Sequence, residues 1–240
     1  MKQIILVHGD KGGVGKTQCA TRTAAAFEKV GRPLTLVDGD VKNPGLHMLY
    51  EDRTTVLDIR TPAGLDALYD IWVESPHDVL VDMPAGGSDA TAKMTSGGNA
   101  EGMIDLYGLL EAINAKAVLL FVIDQSREVL AALRDELEAL SAHRPDWIVV
   151  RNHYQESPFT LFEESQSKQT LLDIGGEILD MGRLDPSLVE FLGKNDCNLN
   201  TIQTRDDAKF LHKLRARGAL GEWITALTSV GLLQGSANDE

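Results

Sequence analysis

The stretch Ile4-Ile5-Leu6-Val7-His8-Gly9-Asp10-Lys11-Gly12-Gly13-Val14-Gly15-Lys16-Thr17 decides the fold. Four aliphatic residues in a row predict a strand buried on both faces, since a strand with one wet face alternates apolar and polar. Glycines occupy four of the seven positions after His8, and then a helical pattern begins. It runs from Lys16 to Val30 with Ala20, Ala24, Phe27 and Val30 on one face, and Gly31 stands where a left-handed C-cap is usual. A strand, a glycine-rich turn and a helix N-terminus together form an anion cradle. Backbone N–H groups point at the anion, the helix dipole favours it, and glycines admit close approach or a positive φ. Lys16 can reach the β- and γ-phosphates of a nucleotide, and the Thr17 hydroxyl can ligate Mg²⁺.

Working outward, short apolar runs alternate with longer helical patterns, the signature of a parallel sheet covered by helices. Strands are predicted at Ile4–His8, Leu34–Asp38, Val79–Met83, Val118–Ile123, Ile148–Arg151 and Ile178–Met181. A helix over Ser126–His143 is N-capped by Ser126 and stopped by Pro145. Two C-terminal helices, Asp206–Arg217 and Leu220–Leu233, are separated by Gly218. The fold class is therefore α/β: one doubly wound, mostly parallel sheet of the P-loop NTPase type over residues 1–234, with a frayed tail at 235–240. Gly86–Gly98 reads as a mobile loop. His153–Lys168, polar but carrying Tyr154, Phe159 and Phe162, reads as a loop, a short helix or a partner contact.

In open α/β sheets ligands sit beyond the carboxyl ends of the strands. Two more strands end there in acids, one in Asp38-Gly39-Asp40 and one in Asp82-Met83-Pro84-Ala85-Gly86-Gly87. A strand-end aspartate alone is equally a turn or helix cap. Together with Lys16 these acids form the set that phosphoryl transfer needs: a metal shell, a charge clamp and a group that positions water.

The strict pattern G-x-x-x-x-G-K-[ST] fails at its first position, where Asp10 stands. What remains, Lys11-Gly12-Gly13-Val14-Gly15-Lys16-Thr17, resembles the deviant Walker A motif of the ParA/MinD family of ATPases. The resemblance implies that ATP and Mg²⁺ are the cofactors. Gly12 through Gln18 then cradle the nucleotide, and Lys11 is the signature lysine that reaches across a nucleotide-sandwich homodimer. It gives the attacking water to Asp40, the metal to Thr17, Asp38 and Asp82, and the switch regions to Asp38–Gly45 and Pro84–Gly98. Asn152 would read the adenine edge, and the loop at Asp185 and Pro186 would cover the base. Read only as residues, Asn152 is equally turn chemistry, and Asp185-Pro186-Ser187 an ordinary helix start. Length and character are most like the plasmid conjugation and stability members of that family, the TraL-like proteins.

Net charge bounds the partners. Lys+Arg 23 against Asp+Glu 36 leaves −13 over 240 residues, a self-repelling chain that should avoid nucleic acid and anionic membrane. Two regions run the other way. Residues 1–50 hold seven Lys/Arg against four Asp/Glu. Arg205–Arg217 holds five cations against Asp206 and Asp207. The second region is a DNA contact or a solvated helix face, and the surrounding acidic field favours the solvated face. Phe210, Leu214 and Leu211 are expected to turn inward. The apolar run Ala117–Ile123 is too short to cross a bilayer, no secretory leader precedes Ile4, and two isolated cysteines, Cys19 and Cys197, fit a reduced cytoplasmic setting. The six histidines show no metal-ligand spacing.

The expected function is an ATP-dependent dimerising switch in plasmid partition, stability or conjugative transfer, with a protein activator or cargo. A metabolic ligase or kinase on the same fold is one alternative, although it leaves Lys11 without a purpose. A slow, nucleotide-stabilised assembly protein is the other.

Overall fold

The computed structural model describes residues 1–86, 106–140 and 145–233. Most of the Gly86–Gly98 loop, the end of the helix expected to reach His143, and the tail lie outside these residues.

Among the described residues, seven parallel strands form a single sheet in the order β3-β2-β4-β1-β5-β6-β7. They are β1 (Lys2–His8), β2 (Leu34–Asp38), β3 (Thr54–Val56), β4 (Asp78–Asp82), β5 (Ala115–Ile123), β6 (Asp146–Asn152) and β7 (Glu177–Met181). β1 is central and pairs with β4 and β5, placing Val7 opposite Asp82 on one side and Leu120 on the other. β2 pairs with β4 so that Asp38 and Asp82 stand level at the carboxyl edge. The six predicted strands are all present. β3, a three-residue edge strand, is added by the structure.

The helices are α1 (Lys16–Lys29), α2 (Gly45–Leu49), α3 (Pro62–Glu74), α4 (Leu106–Ala112), α5 (Arg127–Ala139), α6 (Thr160–Glu163), α7 (Gln166–Asp173), α8 (Pro186–Lys194) and α9 (Phe210–Ser229). α3 was not expected, although Thr61-Pro62 carries its signal. The Thr61 hydroxyl accepts from Gly64 N and Pro62 occupies the first turn. In α1, buried Cys19, Ala20, Thr23, Ala24 and Phe27 face inward, and the Trp223 indole of α9 donates to Thr23 at 3.3 Å. The aromatic cluster of His153–Lys168 resolves into α6 and α7, with Phe159 and Phe162 buried and Tyr154 left outside.

Three local expectations are corrected. The C-terminal region is one helix of 20 residues, not two, and Gly218 sits inside it. A helical glycine costs about 1 kcal/mol, which the burial of Ala216, Leu220, Trp223 and Leu227 outweighs. Phe210, Leu211 and Leu214 face outward, being 80%, 50% and 50% exposed. Ser126 occupies the N-cap of α5 without capping it, because its hydroxyl donates to Asp124 instead.

Candidate functional site

The loop leaving β1 passes over the carboxyl edge of the sheet and enters α1 at Gly15, whose φ of 106° is left-handed. A Cβ here would stand 2.3 Å from the Asn152 amide nitrogen, so only glycine fits. Gly13, at φ 77°, faces open space. Asp10 stands outside the positive-φ set. The first position of the loop therefore imposes no left-handed backbone here, which accounts for its tolerance of a side chain. Asp10 also acts electrostatically on Lys16, opposing the fall in its pKa, and its carbonyl accepts from Gly86 N at 2.9 Å, tying the segment after β4 to the loop.

An open cleft of about 340 Å³ lies on this loop. Seven residues expected from sequence line it: Gly12, Gly13, Gly15, Lys16, Thr17, Gln18 and Asp40. Asn43, Met83 and Ala85 complete it. Lys16 is buried and its ammonium donates to the Lys11 carbonyl at 3.1 Å, across the loop. Burial lowers its pKa from the ordinary value, with the carboxylates of Asp82, Asp10 and Asp40 opposing.

Beneath the cleft, the Thr17 hydroxyl donates to Asp82. Burial pushes the Asp82 carboxyl up to about 7, and Asp38 reinforces the rise while Lys16 and the Thr17 bond oppose it. Asp82 Oδ1 is buried without a hydrogen-bond partner among the described residues. An orphaned carboxylate oxygen beside Thr17, under a glycine cradle with a lysine, fits a magnesium–nucleotide complex. Mg²⁺ there would be held by Thr17 and, through water, by Asp82.

The two acids of Asp38-Gly39-Asp40 are used differently. Asp38 is fully buried, and its Oδ1 accepts from Asp40 N at 3.0 Å while Oδ2 accepts from Leu46 N at 2.9 Å and His47 N at 3.1 Å. Both oxygens hold backbone, so the geometry gives Asp38 the work of fixing the following loop and α2. Burial raises its pKa against these bonds. Asp40 Oδ1 accepts from Lys42 N and Asn43 N in an Asx turn, and its carboxylate borders the cleft.

Lys11 points away from the cleft. Its ammonium donates to Asp124 Oδ2 at 3.2 Å and Ser126 Oγ at 3.3 Å, with Glu128 at 3.8 Å. These partners were missed in the sequence, although Asp124 follows β5 just as Asp82 ends β4. Hydrogen bonding to Asp124 raises the Lys11 pKa. At Asp124 burial acts upward, but the bonds from Ser126 and Lys11 outweigh it and hold the carboxyl below its usual value.

A second cleft, of about 410 Å³, shares Gln18 with the first and is bordered by Arg22, Asn152, Arg183 and Pro186. Asn152 is buried, and its amide nitrogen donates to the Val14 carbonyl at 2.8 Å, which leaves its carbonyl oxygen for a ligand. Val14 is otherwise a core residue. Asp185 caps α8, accepting from Ser187 N and Leu188 N, and pairs with Arg215 at 2.8 Å. It borders neither cleft, and hydrogen bonding from Ser187 lowers its pKa. A larger cavity of about 630 Å³ opens at the other end of the sheet, between Gln3, Lys116 and Asp146. Lys116 and Asp146 neutralise each other there, so chemistry rather than size assigns the site.

Comparison with known proteins agrees with this geometry. A family model described as ParA, NUBPL iron-transfer P-loop NTPase, matches residues 1–61, which span the loop and the Asp38–Asp40 segment. Protein MobD of Acidithiobacillus ferrooxidans is 28% identical over 180 residues, covering 73% of this chain and 75% of that protein. The cell division ATPase MinD of Pyrococcus furiosus superposes with a TM-score of 0.54 at 18% identity, covering 96% of this chain and 100% of that one. The septum site-determining protein MinD of Pyrococcus horikoshii, complexed with Mg-ADP, reaches 0.57 at 15% identity, covering 98% and 100%. The loop, the sheet and these matches together make the chain similar to ParA/MinD-type P-loop NTPases, and the likeness to the MinD structures is one of fold.

Proposed function

We propose that the protein is a magnesium-dependent ATPase that dimerises when ATP is bound and changes state on hydrolysis. The observation that carries this reading is the convergence of Lys16, Thr17, Asp82 and Asp40 on one glycine-lined cleft, with Lys11 held outside it on the molecular surface. Lys16 supplies charge to the phosphates, Thr17 and Asp82 form a metal shell, and Asp40 positions water at the open side. Bound Mg²⁺ would neutralise charge developing on the phosphate oxygens. Asp38 holds the loop that carries Asp40, so that loop and α2 are the elements through which nucleotide state reaches the surface.

Asn152 and Pro186 flank the cleft proposed for the base. The Asn152 carbonyl accepts from an exocyclic amino group, which favours adenine. Lys11 completes the phosphate site of a second copy, which makes ATP-bound dimer and nucleotide-free monomer the two states. The process, plasmid partition, stability or conjugative transfer in the cytoplasm with a protein activator or cargo, rests on the motif resemblance. No helix of the described residues is long and apolar enough to cross a membrane.

Phosphate release from Mg-ATP by the wild type and by Lys16→Ala tests the enzyme. Slow turnover that vanishes in the variant is expected. Turnover indifferent to Lys16 would remove the cleft from the chemistry.

A further inference from the structure

The outward face of α9 is built unlike a solvated helix. At 100° per residue, Phe210, Leu214, Gly218 and Gly221 fall along one stripe, with Leu211 beside it. Phe210 is the most exposed large apolar residue among the described residues, and Leu211 and Leu214 are half exposed. A Cβ added at Gly218 or Gly221 meets nothing within 4 Å, so the glycine end of the stripe is open. The opposite face already anchors the helix through Ala216, Leu220, Trp223 and Leu227. Folding thus leaves a contiguous apolar ridge followed by a shallow notch, the feature that marks an interaction surface.

Charge on this face identifies what it receives. Of the five cations between Arg205 and Arg217, two are neutralised within the chain, Arg205 by Asp207 and Arg215 by Asp185. Lys209, Lys213 and Arg217 make no salt bridge among the described residues, although Lys213 is near enough to Asp207 to act on its charge, and Lys213 and Arg217 flank the apolar stripe. A ridge of this kind, edged by cations on a chain of net charge −13, calls for an apolar centre with an acidic rim.

We propose that this face of α9 docks an acidic amphipathic helix of a partner protein, whose Leu-type residues cover Phe210, Leu211 and Leu214 and whose Asp or Glu residues meet Lys213 and Arg217. Duplex DNA fits poorly, because an apolar centre offers phosphates no donor. A second copy docking by two-fold symmetry would oppose Lys213 and Arg217 with their own counterparts. An anionic bilayer meets the acidic remainder of the chain as well as this patch. None of these residues borders either nucleotide cleft, so the proposal does not depend on the proposed ATPase activity.

The test uses the full chain and two fluorescent synthetic helices with the same leucine face, one flanked by glutamates and one by lysines. A DNA duplex and phosphatidylglycerol vesicles are titrated in parallel. The glutamate helix is expected to bind in preference to every other probe. Leu214→Asp should weaken it roughly tenfold or more, and Lys213→Glu with Arg217→Glu should switch preference to the lysine helix. Leu214 and Arg217 are exposed and Lys213 is half-buried, so the melting of each variant is measured, and unchanged melting separates lost docking from lost folding. Equal binding of both helices, no binding of either, a preference for duplex or vesicles, or self-association abolished by Leu214→Asp would each overturn the proposal.

Discussion

The ammonium of Lys11 stands 3.2 Å from the carboxylate of Asp124, linking the phosphate loop to the segment that leads into α5. If Lys11 serves the phosphates of a second copy, this ion pair must open before the dimer can close. Asp124→Asn should therefore favour nucleotide-dependent dimerisation, by no more than a few-fold because Lys11 is solvent-screened. Lys11→Ala should abolish dimerisation. Light scattering with a slowly hydrolysed ATP analogue checks both. A dimer indifferent to Lys11 removes the switch reading.

Asp82 gives the nucleotide-free protein a pH dependence with a definite sign. Its folded pKa of about 7 lies above the ordinary 3.8, so the protonated carboxyl is the form that folding favours. That contribution is complete below 3.8 and is lost as pH rises to about 7, up to a few kcal/mol. In chelator, Asp82→Asn should be more stable than wild type above this window and similar below it. Denaturant midpoints across the pH range measure the difference. Parallel curves would mean that Asp82 is not strained by its burial.

Asp40 holds two roles that two substitutions separate. Its carboxylate borders the cleft and also accepts from Lys42 N and Asn43 N. Asparagine keeps the Asx turn but loses the charge, whereas alanine loses both. Both variants should hydrolyse ATP about 100-fold more slowly or worse. Only Asp40→Ala should loosen the loop before α2, read as faster amide exchange at residues 42–46. Full turnover in Asp40→Asn would take Asp40 out of the chemistry.

Two loop glycines predict different penalties. Gly13→Ala meets open space and suffers only left-handed strain, about 1 kcal/mol. Gly15→Ala adds a collision with the buried Asn152 amide, so its cost should exceed about 2 kcal/mol and nucleotide binding should fail. Thermal melts and nucleotide titration of the pair distinguish them. Equal effects would mean that Asn152 moves aside freely.

The loop, the six longer strands and the acids at Asp38–Asp40 and Asp82 were legible because each is local: a run, a turn and a spacing within a few residues. β3 was not, since Thr54–Val56 is too short to show a period and earns its place by pairing with Leu36–Asp38. The continuity of α9 was hidden by Gly218, whose cost is local while the offsetting burial of Leu220 and Trp223 is tertiary. The outward turn of Phe210 and Leu214 escaped because apolar spacing shows that residues share a face, not which way the face points. Asp38 was legible as an acid at a strand end. Its commitment to backbone N–H groups eight and nine residues away was not.

Placing β1 in the middle of the sheet divides labour between its two flanks. On one side β4 and β2 deliver Asp82 and Asp38, and on the other β6 delivers Asn152, with the loop between as their common neighbour. On the proposed reading, the groups for phosphate chemistry and those for the base stand on opposite wings of one scaffold. The wings are coupled where they meet: Asn152 donates to the Val14 carbonyl and leaves room only for glycine at position 15, so a change on the base side is felt in the phosphate loop.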